Sequence, residues 1–97
     1  MARRQIRPNA ENDLQQIWSF IAADNPRAAD AMIERLAEAF DMLLAMPLAG
    51  RARREFGENF RSFVVDSYVV FYATVPQGIE IVRIMHGRQD IGPADMT

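Results

Sequence analysis

Asp24-Asn25-Pro26 constrains this chain more than any other three residues. Asn25 is a good helix N-cap, because its side-chain oxygen can take a backbone N–H of the first turn. Pro26 suits the first helical position, where its missing N–H costs nothing. Apolar residues recur at helical spacing on both sides of the break. Upstream they are Leu14, Ile17, Trp18 and Ile21. Downstream they are Ala29, Met32, Ile33, Leu36, Phe40, Leu43 and Leu44, with Asp30, Glu34, Glu38 and Asp41 on the opposite side. Pro47 and Gly50 end the second pattern. Two helices joined by so few residues must run antiparallel.

The first helix has a wide apolar arc. Phe20 lies about 100° from Ile21 on the helical wheel, outside the main stripe. Either two elements of the same chain cover that arc, or a partner covers part of it. Ahead of this helix, residues 3–7 alternate loosely and stop at Pro8, which predicts a short edge strand. Asn9 is placed to cap the helix, with Glu11 and Asp13 in a first turn that favours acids.

After Gly50 the pattern changes to short alternating runs. Arg51 to Phe56 could be a short strand, and Gly57-Glu58-Asn59 reads as a turn. Strands follow at Phe60 to Val65, Tyr68 to Val75 and Ile79 to His86, separated by Asp66-Ser67 and Pro76-Gln77-Gly78. Such short turns make consecutive strands antiparallel, a meander. The sheet needs a cover, and the helical hairpin is the only one available. The fold class is therefore α+β: an N-terminal strand and an antiparallel helical hairpin packed on an antiparallel meander sheet. Residues 1–97 form one domain, and Gly92-Pro93 predicts that residues 91–97 leave the sheet as a C-terminal tail.

The strand Tyr68 to Val75 is apolar on both faces. Val69, Phe71 and Ala73 share one, and Tyr68, Val70, Tyr72 and Thr74 share the other. A domain of this size can bury only one of them fully. The two tyrosines, apolar with a polar tip, make theirs the expected partner-facing surface; a curled sheet or a tail could cover it instead.

Composition narrows the function. Apolar residues make up 49% of the 97, enough for one core and too many for a disordered chain. There is no cysteine, which excludes disulfides and thiolate metal sites and fits a reducing compartment. No apolar run approaches a membrane span, and the basic start Met1-Ala2-Arg3-Arg4-Gln5-Ile6-Arg7 has no apolar block behind it, so a cytoplasmic protein is expected. A net charge of −2 argues against a general nucleic-acid coat. Every basic side chain is arginine. Genome composition is the simpler explanation; the functional alternative is a need for planar guanidinium forks on carboxylates or phosphates. Residues 51–61 are locally basic, with Arg51, Arg53, Arg54 and Arg61 against Glu55 and Glu58.

No phosphate-binding glycine loop, nucleotide fingerprint or metal spacing is present, and neither a cofactor nor a metal is expected. Ser19, Ser62 and Ser67 lie in no nucleophile context. His86 is the one candidate acid or base, at the end of the last strand; an imidazole hydrogen-bonded at a strand end is the simpler reading. Arg61 and Arg83 alternate with apolar neighbours, as arginines do when they pair with a carboxylate or hold a partner's acidic group or phosphate.

Taken in order, these features resemble the ParE branch of the RelE/ParE toxin superfamily. They are Pro8-Asn9-Ala10, Asp13-Leu14, Ile17-Trp18, Phe20-Ile21-Ala22, Asn25-Pro26, Ala28-Ala29, Met46-Pro47 and Gly50-Arg51. They continue through Phe60-Arg61-Ser62 and Tyr68-Val69-Val70-Phe71-Tyr72 to Ile81-Val82-Arg83-Ile84-Met85-His86-Gly87-Arg88 and Asp90. The resemblance implies the toxin of a bacterial type II toxin–antitoxin pair with the RelE/ParE-like fold. It implies a ParD-like antitoxin whose C-terminal segment folds onto the toxin groove in a hetero-oligomeric complex, with DNA bound only through the antitoxin. DNA gyrase is the implied target, inhibited by binding rather than by catalysis, and no membrane is involved. Phe20, Arg61, Tyr68, Tyr72, Arg83, His86 and Arg88 are the candidate partner-binding residues. In this family the C-terminal tail often matters for toxicity.

The alternative within the superfamily is the RelE branch, a ribosome-dependent messenger-RNA endonuclease. That branch usually has an arginine after the strand tyrosine, where this chain has Val69, and often a C-terminal tyrosine, absent from Gln89 to Asp95. If the chain were a ribonuclease, Arg61, Arg83, His86 and Arg88 would be its catalytic candidates. A second alternative is a module that has lost toxicity and acts only as a binding or co-repressor partner.

Overall fold

The protein is described from a computed structural model, which covers residues 2–97. Strand β1 (Arg3–Ile6) leads into helices α1 (Pro8–Ala22) and α2 (Pro26–Ala45). Strands β2 (Arg51–Ala52), β3 (Phe60–Val65), β4 (Tyr68–Val75) and β5 (Gly78–His86) follow, and a 3₁₀ turn (Pro93–Met96) ends the chain. The hairpin forms where Asn25-Pro26 predicts it. The Asn25 side chain accepts the Ala28 N–H at 3.2 Å, and Pro26 opens α2.

The first helix starts two residues earlier than expected. Pro8 itself takes the first helical position, with extended Arg7 as an N-cap that makes no side-chain capping bond. Asn9 is therefore not a cap; its Nδ2 donates to the Thr97 carbonyl at 3.2 Å. Asp13 falls beyond the first turn and turns inward, 7% exposed.

The five strands lie in the order β1-β5-β4-β3-β2. The strands from β2 to β5 form the antiparallel meander. The N-terminal strand adds a parallel edge, Arg3 opposite Gly78 through Ile6 opposite Ile81, so the sheet is mixed. A parallel neighbour needs a long crossover, which the hairpin and the meander supply between β1 and β5. Gly78 is required at this junction. Its φ of +144° suits glycine, and a Cβ there would lie 2.0 Å from the Arg3 carbonyl oxygen.

The hairpin covers the face of Tyr68, Val70 and Tyr72, joined by Ile79, Ile81 and Ile84. Ile17, Leu36, Phe40 and Leu43 pack onto it. Full burial of each large side chain stabilises by roughly 1.5–3 kcal/mol. The expectation that this face looks outward is corrected here: Tyr72 is 0% exposed. Its hydroxyl accepts the Gly50 N–H at 2.9 Å and donates to the Pro47 carbonyl at 2.7 Å, which fixes the turn after α2.

The opposite face of Phe71, Ala73, Val82 and Met85 forms a second cluster with Met96. Residues 91–97 thus return to the sheet rather than leave it. Ile91 packs against that cluster, Met96 is 4% exposed, and Phe56 and Phe60 close the other side. The two cores explain how one strand can be apolar on both faces in so small a domain.

Candidate functional site

A register shift in β5 creates the site. Phe71 pairs with Arg83 and Tyr72 with Ile81, so Val82 is an extra residue in the ladder. Unbroken alternation would place Arg83 beside Ile79 and Ile81, under the helices. The bulge instead restores Ile84 to the helix-covered core and leaves Val82 and Met85 on the opposite face.

Because β1 ends at Ile6, opposite Ile81, the outer edge of β5 beyond that point has no strand neighbour. Arg83 reaches α1 there. Its Nε donates to Asp13 Oδ2 at 2.7 Å and its Nη2 to Asp13 Oδ1 at 2.9 Å, a two-pronged pair. Asp13 Oδ2 also accepts the Ile84 N–H at 3.0 Å. Arg83 Nη1 donates to the Asp95 carbonyl in the C-terminal turn at 3.1 Å. The hydrogen bonds to Asp13 raise the Arg83 pKa above its ordinary value, against the opposing effect of burial. The next outward amide, His86 N–H, donates to Gln89 Oε1 at 2.7 Å. Side chains thus satisfy the edge amides that would otherwise recruit another strand.

Beside this edge lies a groove of about 450 Å³ between α1 and β5. Ile17, Phe20, Tyr68 and Ile84 supply its apolar wall, and Asp13, Gln16, Arg83, His86 and Gln89 its polar one. Phe20 stands 79% exposed at the rim. The rest of the wide α1 arc is partly tied down, since the Trp18 indole N–H donates to Asp30 Oδ1 at 2.8 Å. Tyr68 and His86 meet edge to face, ring centres 5.5 Å apart. That pair separates the groove from a neighbouring cleft lined by Val64, Asp66, Val69 and Arg88 among others. Val64 is 65% exposed there.

Of the seven candidate residues, the structure brings Phe20, Tyr68, Arg83 and His86 together around the groove and Arg88 next to it. Two fall elsewhere. Tyr72 is inaccessible in the core, and burial pushes its hydroxyl pKa up despite the Gly50 N–H and the nearby Arg61 charge. Arg61 Nη1 donates to the Gly50 carbonyl at 2.7 Å and the Leu48 carbonyl at 3.4 Å, holding the loop after α2. His86 Nδ1 accepts the Arg88 backbone N–H at 3.2 Å, which leaves Nε2 as its open nitrogen.

Sequence reasoning missed Asp13, Gln16 and Gln89. Asp13 had a visible signal: it shares a helical face with Ala10 and Ile17, and a carboxylate on an apolar stripe needs a buried partner. Gln16 and Gln89 carry no such mark.

Comparison with known proteins shows the family and the fold. The family described as the ParE toxin of the type II toxin–antitoxin system, parDE, matches residues 5–91. The chain belongs to that family. Toxin ParE3 of Caulobacter vibrioides is 29% identical over 80 residues, which is 81% of this chain and 80% of the relative. The putative toxin Y4kP of Sinorhizobium fredii is 31% identical over 93 residues, 92% of this chain and 94% of the relative. The solved structure of a chromosomal ParDE system from P. aeruginosa shares the fold, with a TM-score of 0.74 at 20% identity, over 89% of this chain and 96% of that one. A ParE-type toxin of a type II system has an antitoxin as its partner. No helix among the described residues is long and apolar enough to cross a membrane.

Proposed function

We propose that the groove between α1 and β5 seats the C-terminal segment of a ParD-like antitoxin. We further propose that the free toxin acts in the cytoplasm by binding DNA gyrase stoichiometrically, without catalysis. The observation that carries the first part is the juxtaposition of a highly exposed Phe20 with an apolar wall and a fixed guanidinium. An amphipathic helix laid in such a groove would bury Phe20 and meet the polar wall with its edge. Family membership supports gyrase as the target.

The engagement of the arginines supports a non-catalytic mode. A ribonuclease needs free cations and an acid–base pair around the scissile phosphate. Arg61 is held by backbone carbonyls and Arg83, although it lines the groove, is paired with Asp13, so both of these guanidinium groups are already engaged.

Supercoiling by purified gyrase, titrated with this protein, tests the target. Progressive inhibition that equimolar antitoxin reverses is expected, and supercoiling that persists at a large molar excess would refute it. Cleavage of messenger RNA on purified ribosomes, lost in His86→Ala, would establish the ribonuclease instead. Normal growth after the gene is induced alone would point to a module without toxicity.

A further inference from the structure

The guanidinium of Arg83 carries five N–H groups, and three are committed: two to Asp13 and one to the Asp95 carbonyl. The other two belong to a side chain that lines the groove. Asp13 fixes the fork from the helix side and the C-terminal turn fixes it from the other. We infer that Arg83 is a preorganised donor for a carboxylate of the docked partner, and that the C-terminal turn is the brace that holds it in place. The partner segment therefore carries an acidic side chain next to an aromatic or large aliphatic one. The acid meets Arg83 while the apolar group packs on Phe20, Ile17 and Tyr68.

Charge complementarity selects an acid over a base. The one carboxylate on the groove wall is Asp13, and three hydrogen bonds already satisfy it. His86 adds a further donor-capable group on the groove wall. A strand is disfavoured as the occupant, because Asp13 and Gln89 already hold the Ile84 and His86 amides. The brace has two anchors apart from Arg83: Met96 buried under the sheet, and the Thr97 carbonyl held by Asn9. A fork held from both sides loses little freedom when a ligand arrives, which is how preorganisation raises affinity.

This inference rests on reading the groove as the partner seat, and it can fail while that reading stands. The probe is 3-phenylpropionate, a ring and a carboxylate in one small molecule, with 3-phenylpropanamide as the uncharged control. Binding to the full chain is followed through the Arg83 Nε–Hε NMR signal. The acid is expected to shift that signal and saturate in the millimolar range, and the amide to bind about fivefold more weakly, as loss of charge assistance implies. Asn9→Ala and Met96→Ser, which loosen the turn without touching the groove, should each weaken the acid about threefold or more by removing preorganisation. Arg88→Gln should leave the preference for acid intact. Equal binding of acid and amide, or a preference lost in Arg88→Gln, would overturn the assignment of Arg83. Unchanged acid binding in both Asn9→Ala and Met96→Ser would overturn the brace. Antitoxin that binds tightly with either result leaves the partner seat standing, whereas antitoxin that leaves Phe20 exposed refutes the seat itself.

Discussion

Removing either member of the Asp13–Arg83 pair tests whether it organises the fold as the geometry implies. Asp13→Ala leaves the Ile84 N–H buried without an acceptor, which costs about 1–3 kcal/mol. It also strips Arg83 of its charged partner. That loss is about 3–5 kcal/mol for a fully buried pair, but the Arg83 side chain is 20% exposed and can relax toward water. About 3 kcal/mol in total is expected for Asp13→Ala. Arg83→Met should cost a similar amount, because the Asp13 side chain, 9% exposed, keeps only one donor, the Ile84 N–H. In the double variant neither charge is stranded, so its cost should be about 4 kcal/mol, a coupling of about 2 kcal/mol. Urea denaturation with linear extrapolation measures all four proteins. A domain of this size has about 5–10 kcal/mol of stability, so the single variants stay folded, with melting temperatures lowered by roughly 15 °C. Single costs below about 1 kcal/mol, or additivity within about 0.5 kcal/mol, would refute the role given to the pair.

Gly50→Ala should lose about 1–3 kcal/mol in the same denaturation assay, because the new Cβ would sit 2.5 Å from the Tyr72 hydroxyl. Tyr72→Phe removes both hydroxyl bonds and should cost about 1–3 kcal/mol near neutral pH. Its pKa is raised in the folded state, so its contribution is present below the unfolded value of about 10 and is lost as pH rises through the folded one. Stability followed from neutral to alkaline pH should fall less steeply in Tyr72→Phe than in the parent. Phe20→Ala should change stability by less than about 0.5 kcal/mol, since the ring is 79% exposed, yet weaken antitoxin binding at least tenfold by calorimetry.

Local chemistry reads well from this sequence. Asn25-Pro26 places the turn between helices, and the period-2 runs place β3, β4 and β5 within a residue or two. What local pattern cannot decide is which face of β4 the helices choose. Tyr68, Val70 and Tyr72 are as apolar as Val69, Phe71 and Ala73, and both sets end up covered. The tyrosines mislead because an interface and a core with a hydrogen-bond acceptor nearby favour the same side chain. The acceptor for Tyr72, the Pro47 carbonyl, lies 25 residues away in sequence, beyond any local rule. The tail misleads for a related reason. Gly92-Pro93 follows the end of the strand, but the chain then turns back and adds Ile91 and Met96 to the cluster of Phe71, Val82 and Met85.

The groove itself follows from three local irregularities that act together. A short β1 ends opposite Ile81 and leaves half of the β5 edge open. The bulge at Val82 takes Arg83 out of the helix-covered stripe at the point where that edge opens. A single acid on the apolar stripe of α1 then captures it and caps Ile84. Extend β1 by two residues and the amide that Asp13 holds would go to a strand. Remove the bulge and Arg83 would lie beneath the hairpin, where its charge is costly to bury. Ordinary strand pairing would be regular in both cases, and no edge groove with a fixed guanidinium would exist. The departures from regular strand geometry, rather than the elements, therefore shape the groove, which is why a reading of elements alone finds the fold but only part of the candidate site.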